Sequence, residues 1–126
     1  MANSQLPPGS KGTISIPLAQ HEVTAWQTYA ANTDIVAQSF HFSIDTFDNI
    51  KTYTPEADGV RMYLALRAEN DPTSITLLLV PTVNGKDIVT LPAPGTVGGD
   101  DDTNIYNYAA TCPPYCKPPE EWLTNV

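Results

Sequence analysis

The sequence predicts an α+β fold, two helices packed on one face of a three- to four-stranded, mostly antiparallel sheet. Three stretches carry that expectation. Apolar side chains recur at three- and four-residue steps from Pro17 to about Ala31, and alternate with polar ones from Val60 to Ala68. Asn84-Gly85 then separates two further strand-like runs in the manner of a hairpin turn.

The elements follow in chain order. Residues 1–12 are polar and punctuated by Pro7, Pro8, Gly9 and Gly12, which reads as a flexible lead into a single domain over residues 13–111. The first helix is expected after Ser15 and Ile16, because Pro17 suits a first helical turn, where its missing N–H would have no partner. Leu18, Ala19, Val23, Ala25, Trp26, Tyr29 and Ala30 form its amphipathic stripe, with Trp26 and Tyr29 expected in the core. Ser39 to Phe42 alternates with period two. Ser43 reads as the N-cap of a second, short helix with Asp45 and Asp48 in its early turns and Phe47 and Ile50 on one face.

Pro55, Asp58 and Gly59 end that unit and open the clearest strand. Val60, Met62, Leu64, Leu66 and Ala68 point one way and Arg61, Tyr63, Ala65 and Arg67 the other, the pattern of a half-buried antiparallel strand. After the turn-rich Glu69-Asn70-Asp71-Pro72, the run Ile75 to Val80 is apolar on both faces and belongs in the sheet centre. Pro81 lacks a ladder donor and is expected at a bulge or strand end. Asn84-Gly85 predicts a type I′ turn into a strand over Lys86 to Thr90. Residues 91–104 read as a long loop, Ile105 to Tyr108 as a last short strand, and residues 112–126 as a Pro- and Cys-rich tail.

Composition narrows the partners. In 126 residues there are 6 Lys plus Arg against 14 Asp plus Glu, a net charge of −8 that disfavours phosphate backbones and anionic lipid, so neither nucleic acid nor membrane is an expected partner. A hydrophobic content of 41% suits one ordinary core, and the 12 prolines gather at the ends and in loops. The first residues lack a basic segment followed by an apolar one, and no stretch approaches the roughly 20 apolar residues of a spanning helix. A cytoplasmic location is the resulting expectation.

Both cysteines lie in Cys112-Pro-Pro-Tyr-Cys116. An extended Pro113-Pro114 would hold their Cα atoms roughly 12 Å apart, beyond the reach of a disulfide, whereas a turn with a cis peptide before either proline would bring them together. Reducing cytosol argues for free thiols. A tetrahedral zinc would need two further ligands, and only His21 and His41 stand beside the carboxylates to supply them. No cofactor is expected, and Cys112 and Cys116 stay open between free, bridged and metal-bound states.

Gly59-Val-Arg-Met-Tyr63, the strand ending Leu79-Val-Pro-Thr82, Gly85-Lys-Asp-Ile88 and Cys112-Pro-Pro-Tyr-Cys116 together resemble a group of small uncharacterised bacterial proteins. Those proteins carry a Gly-(Ile/Val)-Arg-(Ile/Met)-Tyr strand and a Cys-Pro-Pro-x-Cys tail. The resemblance spans residues 13–116 and implies one domain, without an activity.

Three chemistries are set against plainer readings. Arg61, Tyr63 and Arg67 share a sheet face and form a patch able to hold a carboxylate or phosphate, or else a solvated face with its arginines salt-bridged. Asp100, Asp101 and Asp102, with Asn104, offer oxygens to calcium or form a solvated acidic loop. His41 beside Asp45 has the chemistry of an acid or base, although a lone histidine between Phe40 and Phe42 is more often a surface group. No nucleophile elbow, zinc-protease helix, phosphate loop or dinucleotide fingerprint is present.

The leading expectation is therefore a non-enzymatic protein-interaction module. Its Pro-rich tail presents Tyr115 and Trp122 as aromatic anchors to a protein partner, which includes a second copy in a homo-oligomer. The alternatives are a ligand-binding or enzymatic domain using Arg61 and Tyr63, or a structural site at Cys112 and Cys116.

Overall fold

Both helices start at a serine whose hydroxyl replaces a missing backbone acceptor. Helix α1 (Ile16–Ala30) is capped by Ser15, which accepts from the Leu18 N–H at 3.2 Å, and Pro17 sits in its first turn. Helix α2 (Ile44–Tyr53) is capped by Ser43, which accepts from the Asp45 N–H at 3.2 Å; Asp45 in the first turn and Lys51 in the last complement the helix dipole. The structure, a computed structural model, describes residues 5–91, 103–116 and 123.

The chain forms two compact units. Met1–Thr33 with Lys117–Val126 makes one, and Asp34–Cys116 the other. In the first unit, a turn closes Ser10 N–H onto Pro7 O at 3.0 Å ahead of α1, and the Gln20 side chain donates to Leu123 O at 3.0 Å. The expectation that Trp26 and Tyr29 lie in the core is corrected: they are 38% and 65% exposed. The covered stripe of α1 runs instead through Ala19, Val23 and Ala30. At about 100° per residue, Tyr29 stands roughly 120° around the helix from Val23 and so leaves that stripe.

The second unit holds α2 and every strand among the described residues, in two antiparallel sheets rather than one. β2 (Gly59–Leu66), β3 (Ile75–Val83) and β4 (Lys86–Asp87) form a sheet in that order, with Met62 opposite Leu79 and Thr82 opposite Asp87. The β3–β4 turn has φ 51° at Asn84 and 80° at Gly85, the left-handed pair that an Asn-Gly hairpin supplies. β1 (Ser39–His41) pairs with β5 (Ala110–Cys112), Phe40 opposite Thr111. The chain is thus α+β.

β3 is the centre of the larger sheet, with Leu79 fully buried and Val80 3% exposed. Its outer flank is shared. Lys86 and Asp87 pair with its end, Ile88 N–H donates to Pro81 O, and Leu79 and Tyr106 exchange both backbone bonds at 2.9 Å. Pro81 does not end the strand. Its ring nitrogen faces this flank, while Val80 and Thr82 on either side make the bonds to β2, so no β2–β3 donor is lost.

Three further expectations are corrected. The strand expected over Ile105 to Tyr108 is a single bridge at Tyr106, and the last strand lies later, at Ala110–Cys112. The strand expected over Lys86 to Thr90 is regular only through Asp87. Met62, Leu64 and Leu66, expected on a covered face, are 54%, 73% and 49% exposed, because β2 is the edge of its sheet and the covered part lies over β3. Among the described residues no helix is long and apolar enough to cross a membrane.

Candidate functional site: a cleft beside the disulfide

Cys112 and Cys116 are joined in a disulfide with their Cα atoms 4.9 Å apart. Cis peptides stand at Cys112–Pro113 and Pro113–Pro114, so the segment turns where an extended Pro-Pro would have kept the thiols apart. Of the free, bridged and metal-bound states left open by the sequence, the structure has the bridged one, and a bridged pair has no thiolates for zinc. Among the described residues no group of three or more His, Cys, Asp or Glu side chains is placed to hold a metal.

The bridge is part of the sheet corner. Cys112 is fully buried, pairs with Ser39, and accepts from the Gln38 N–H at 2.7 Å, while the Tyr115 N–H donates to Thr111 O at 2.9 Å. Tyr115 is therefore held by its own backbone at the end of β5. Its ring is 67% exposed. Reduction of the bridge should remove the closure of a five-residue loop, a loss of about 2 kcal/mol in unfolding free energy. Urea melts with and without a phosphine reductant measure this, and coincident midpoints would show that the bridge contributes nothing.

Beside the bridge lies an open cleft of about 480 Å³. One wall is Arg67, Thr73, Ser74 and Ile75, from the end of β2 to the start of β3; the other is Tyr108 to Thr111 with Pro113, Pro114 and Tyr115. A short 3₁₀ turn over Pro72–Ser74 shapes the first wall, capped by Asp71, whose Oδ1 accepts from the Thr73 N–H at 3.0 Å. Arg67 ties the walls together: its Nη2 donates to Asn107 O at 2.9 Å and to Ala109 O at 3.4 Å. No carboxylate among the described residues pairs with it, and among the described lining residues it is the single charged side chain. Hydroxyls, two tyrosines and two prolines make up most of the remaining surface.

The anion patch expected from Arg61, Tyr63 and Arg67 is divided. Arg61 and Tyr63 converge on Asp87 of β4, Arg61 through a salt bridge and hydrogen bond to Oδ1 and Tyr63 through its O–H to Oδ2. Arg67 lies beyond the end of β2, six residues from Arg61 and so roughly 20 Å along an extended chain. Tyr63 and Asp87 both hold Arg61 above its ordinary pKa. The hydrogen bond to Asp87 raises the Tyr63 phenol above its own. Tyr63 is thus a neutral donor near neutral pH, and both Asp87 oxygens are engaged.

Comparison with known proteins finds no matching family model, no curated protein and no solved structure. The site rests on its geometry. The structure brings Arg67, Tyr115 and the Cys112–Cys116 turn to one cleft, although they lie in separate stretches of sequence. His41 is exposed on β1, and no hydrogen bond among the described residues joins it to Asp45. Asn104, read beside a calcium loop, is fully buried with its amide committed to Thr54 and Tyr106. Asp100, Asp101, Asp102 and Trp122 lie outside the described residues. Tyr108, 89% exposed on the cleft rim, had no sequence signal beyond being aromatic beside a strand.

Proposed function

We propose that the protein is a non-enzymatic protein-interaction module whose docking site is the cleft beside the Cys112–Cys116 bridge. The observation that carries the reading is the lining: Arg67, which has no carboxylate partner among the described residues, stands between exposed tyrosines and a Pro-Pro corner, with no histidine, carboxylate or free thiol among the described lining residues. Such a lining is suited to binding by stacking and charge, and its hydroxyls have no histidine or carboxylate among the described lining residues to activate them. A short extended segment of a partner protein fits it, with a prolyl or aliphatic side chain against Tyr108 and Tyr115 and a carboxylate on Arg67. Because the turn already fixes the Tyr115 backbone, little chain entropy is lost when the ring is covered.

The bridge also bears on location. Disulfides persist in oxidising compartments and are reduced in the cytosol. This reading therefore sets the working protein in an oxidising compartment rather than in the cytoplasm expected from the sequence.

The test is a titration of labelled protein with acetyl-capped peptides that pair prolines with one glutamate, beside the same peptides with glutamine. Tyr115→Ala should weaken binding by tenfold or more, about 1.4 kcal/mol or above, as expected for an exposed aromatic anchor. Its melting temperature should stay close to that of the unaltered protein. The glutamine peptides should bind more weakly, and Arg67→Gln should erase that difference. Peptides that leave the Tyr108 and Tyr115 resonances unmoved at millimolar concentration would overturn the reading.

A further inference from the structure

We propose that β2 is the interface of a two-fold homodimer, in which two copies of this chain join edge to edge through Gly59–Leu66 with the axis at Tyr63. This inference is independent of the cleft.

The backbone parity of the sheet points to it. The residues of an antiparallel pair either exchange hydrogen bonds or turn their N–H and C=O groups away from each other. The Arg67 N–H donates to Ser74 O at 3.1 Å, continuing the register that sets Leu66 opposite Ile75. Leu79 and Pro81, opposite Met62 and Val60, use their backbone groups on the far flank with Tyr106 and Ile88. Both observations fix the same alternation: Arg61, Tyr63 and Ala65 bond to β3, whereas Val60, Met62, Leu64 and Leu66 direct their donors and acceptors outward. Among the described residues nothing meets them.

Such an edge is a template for another strand unless proline, a bulge or inward charge blunts it. Gly59–Leu66 has no proline, pairs with β3 without a bulge, and carries one charge, Arg61, already tied to Asp87. The other edge strand, β4, is only two residues long. Met62, Leu64 and Leu66 add exposed apolar side chains at 54%, 73% and 49%.

Self-complementarity selects a second copy as the occupant. A two-fold axis at Tyr63 sets Met62 opposite Leu64 and Val60 opposite Leu66, so every outward backbone group meets a partner. The exposed apolar side chains then face one another in cross-strand pairs. The same register sets Arg61 opposite Ala65, Asp58 opposite Ala68 and Glu69 opposite Ala57. No acid faces an acid, which matters for a chain of net charge −8. Tyr63 lies opposite its own symmetry mate in a non-hydrogen-bonded pair, where Cα atoms approach to about 4.5 Å.

That distance is within disulfide reach. Under mild oxidation Tyr63→Cys should form a covalent dimer with itself, since the native cysteines are already bridged. Ala65→Cys should not, because its symmetry mate would lie roughly 14 Å away. In sedimentation velocity the unaltered chain should shift from monomer to dimer as concentration rises, with the Met62 and Leu64 amides gaining exchange protection in step. Leu64→Lys should remain monomeric, as should Leu64→Pro, which removes an outward donor and no β2–β3 bond. Leu64→Lys keeps the test valid should the proline variant fail to fold. A monomer at millimolar concentration, equal cross-linking at positions 63 and 65, or a Leu64→Lys dimer with Met62 still unprotected would each overturn the proposal.

Discussion

Leu79→Ala is expected to lower the unfolding free energy by about 3 kcal/mol, the scale of a leucine truncation in a core that cannot collapse around the gap. Leu79 is fully buried in β3, and its surroundings have little freedom to close in. Its own N–H and C=O are pinned to Tyr106 at 2.9 Å, and β2 and β4 hold the strand on either side. Three segments of backbone would have to shift together to fill the cavity. Urea melts of the variant measure the loss, and a change below about 1 kcal/mol would show that the strand relaxes freely. Leu64→Ala in the same assay, at low protein concentration, is the contrast: Leu64 is 73% exposed and its truncation should be nearly silent.

The second large effect is expected at Asn104. This side chain is fully buried, and so is Thr54, the residue that closes α2. The Asn104 amide donates to Thr54 Oγ1 at 2.6 Å, and its carbonyl oxygen accepts from the Tyr106 hydroxyl at 2.7 Å. One amide thus serves the end of α2 and the segment that seals the flank of β3. Asn104→Ala removes the partner of both hydroxyls at once. With an unsatisfied buried polar group costing about 1–3 kcal/mol, a loss of about 3 kcal/mol is expected. A double-mutant cycle with Thr54→Val separates this network from plain packing: the pair should cost clearly less than the sum of the single changes. Strict additivity would show that the two side chains do not depend on each other.

The elements that were legible in the sequence are those whose cause is local. Ser15 with Pro17 and Ser43 with Asp45 mark helix starts through bonds that span two or three residues. Asn84-Gly85 marks a hairpin because those two residues tolerate left-handed backbone. The β1–β5 pair was not legible. Ser39 to Phe42 alternates with period two, but its partner at Ala110–Cys112 stands far away in the chain and three residues there are too few to show a period. Alternation along β2 separated its two faces correctly but carried no information on whether anything covers them. The fate of Met62, Leu64 and Leu66 was decided by β2 being an edge, a property of the sheet rather than of the segment.

The candidate site divides along the same line. Cys112-Pro-Pro-Tyr-Cys116 is visible in the sequence as unusual chemistry, and a turn there is the condition for a bridge. Arg67 was grouped with Arg61 and Tyr63 by parity alone, but β2 ends at Leu66, and Arg67 there turns to Asn107 O and Ala109 O. The meeting of Arg67 with Tyr115 needs the β2–β3 turn and β5 to stand at one corner, which no local pattern records.

The bridge between Thr90 and Thr103, with the Asn104 N–H on Val89 O at 2.9 Å, has a consequence for how this chain tolerates change. It clamps together the two ends of the stretch from Leu91 to Asp102. The sheet itself thus closes a loop between Thr90 and Thr103. Its length then enters folding through closure entropy, about 0.6 kcal/mol for each doubling. Changing the number of residues between Thr90 and Thr103 is therefore expected to alter this closure cost only slowly, because the cost grows with the logarithm of the loop length.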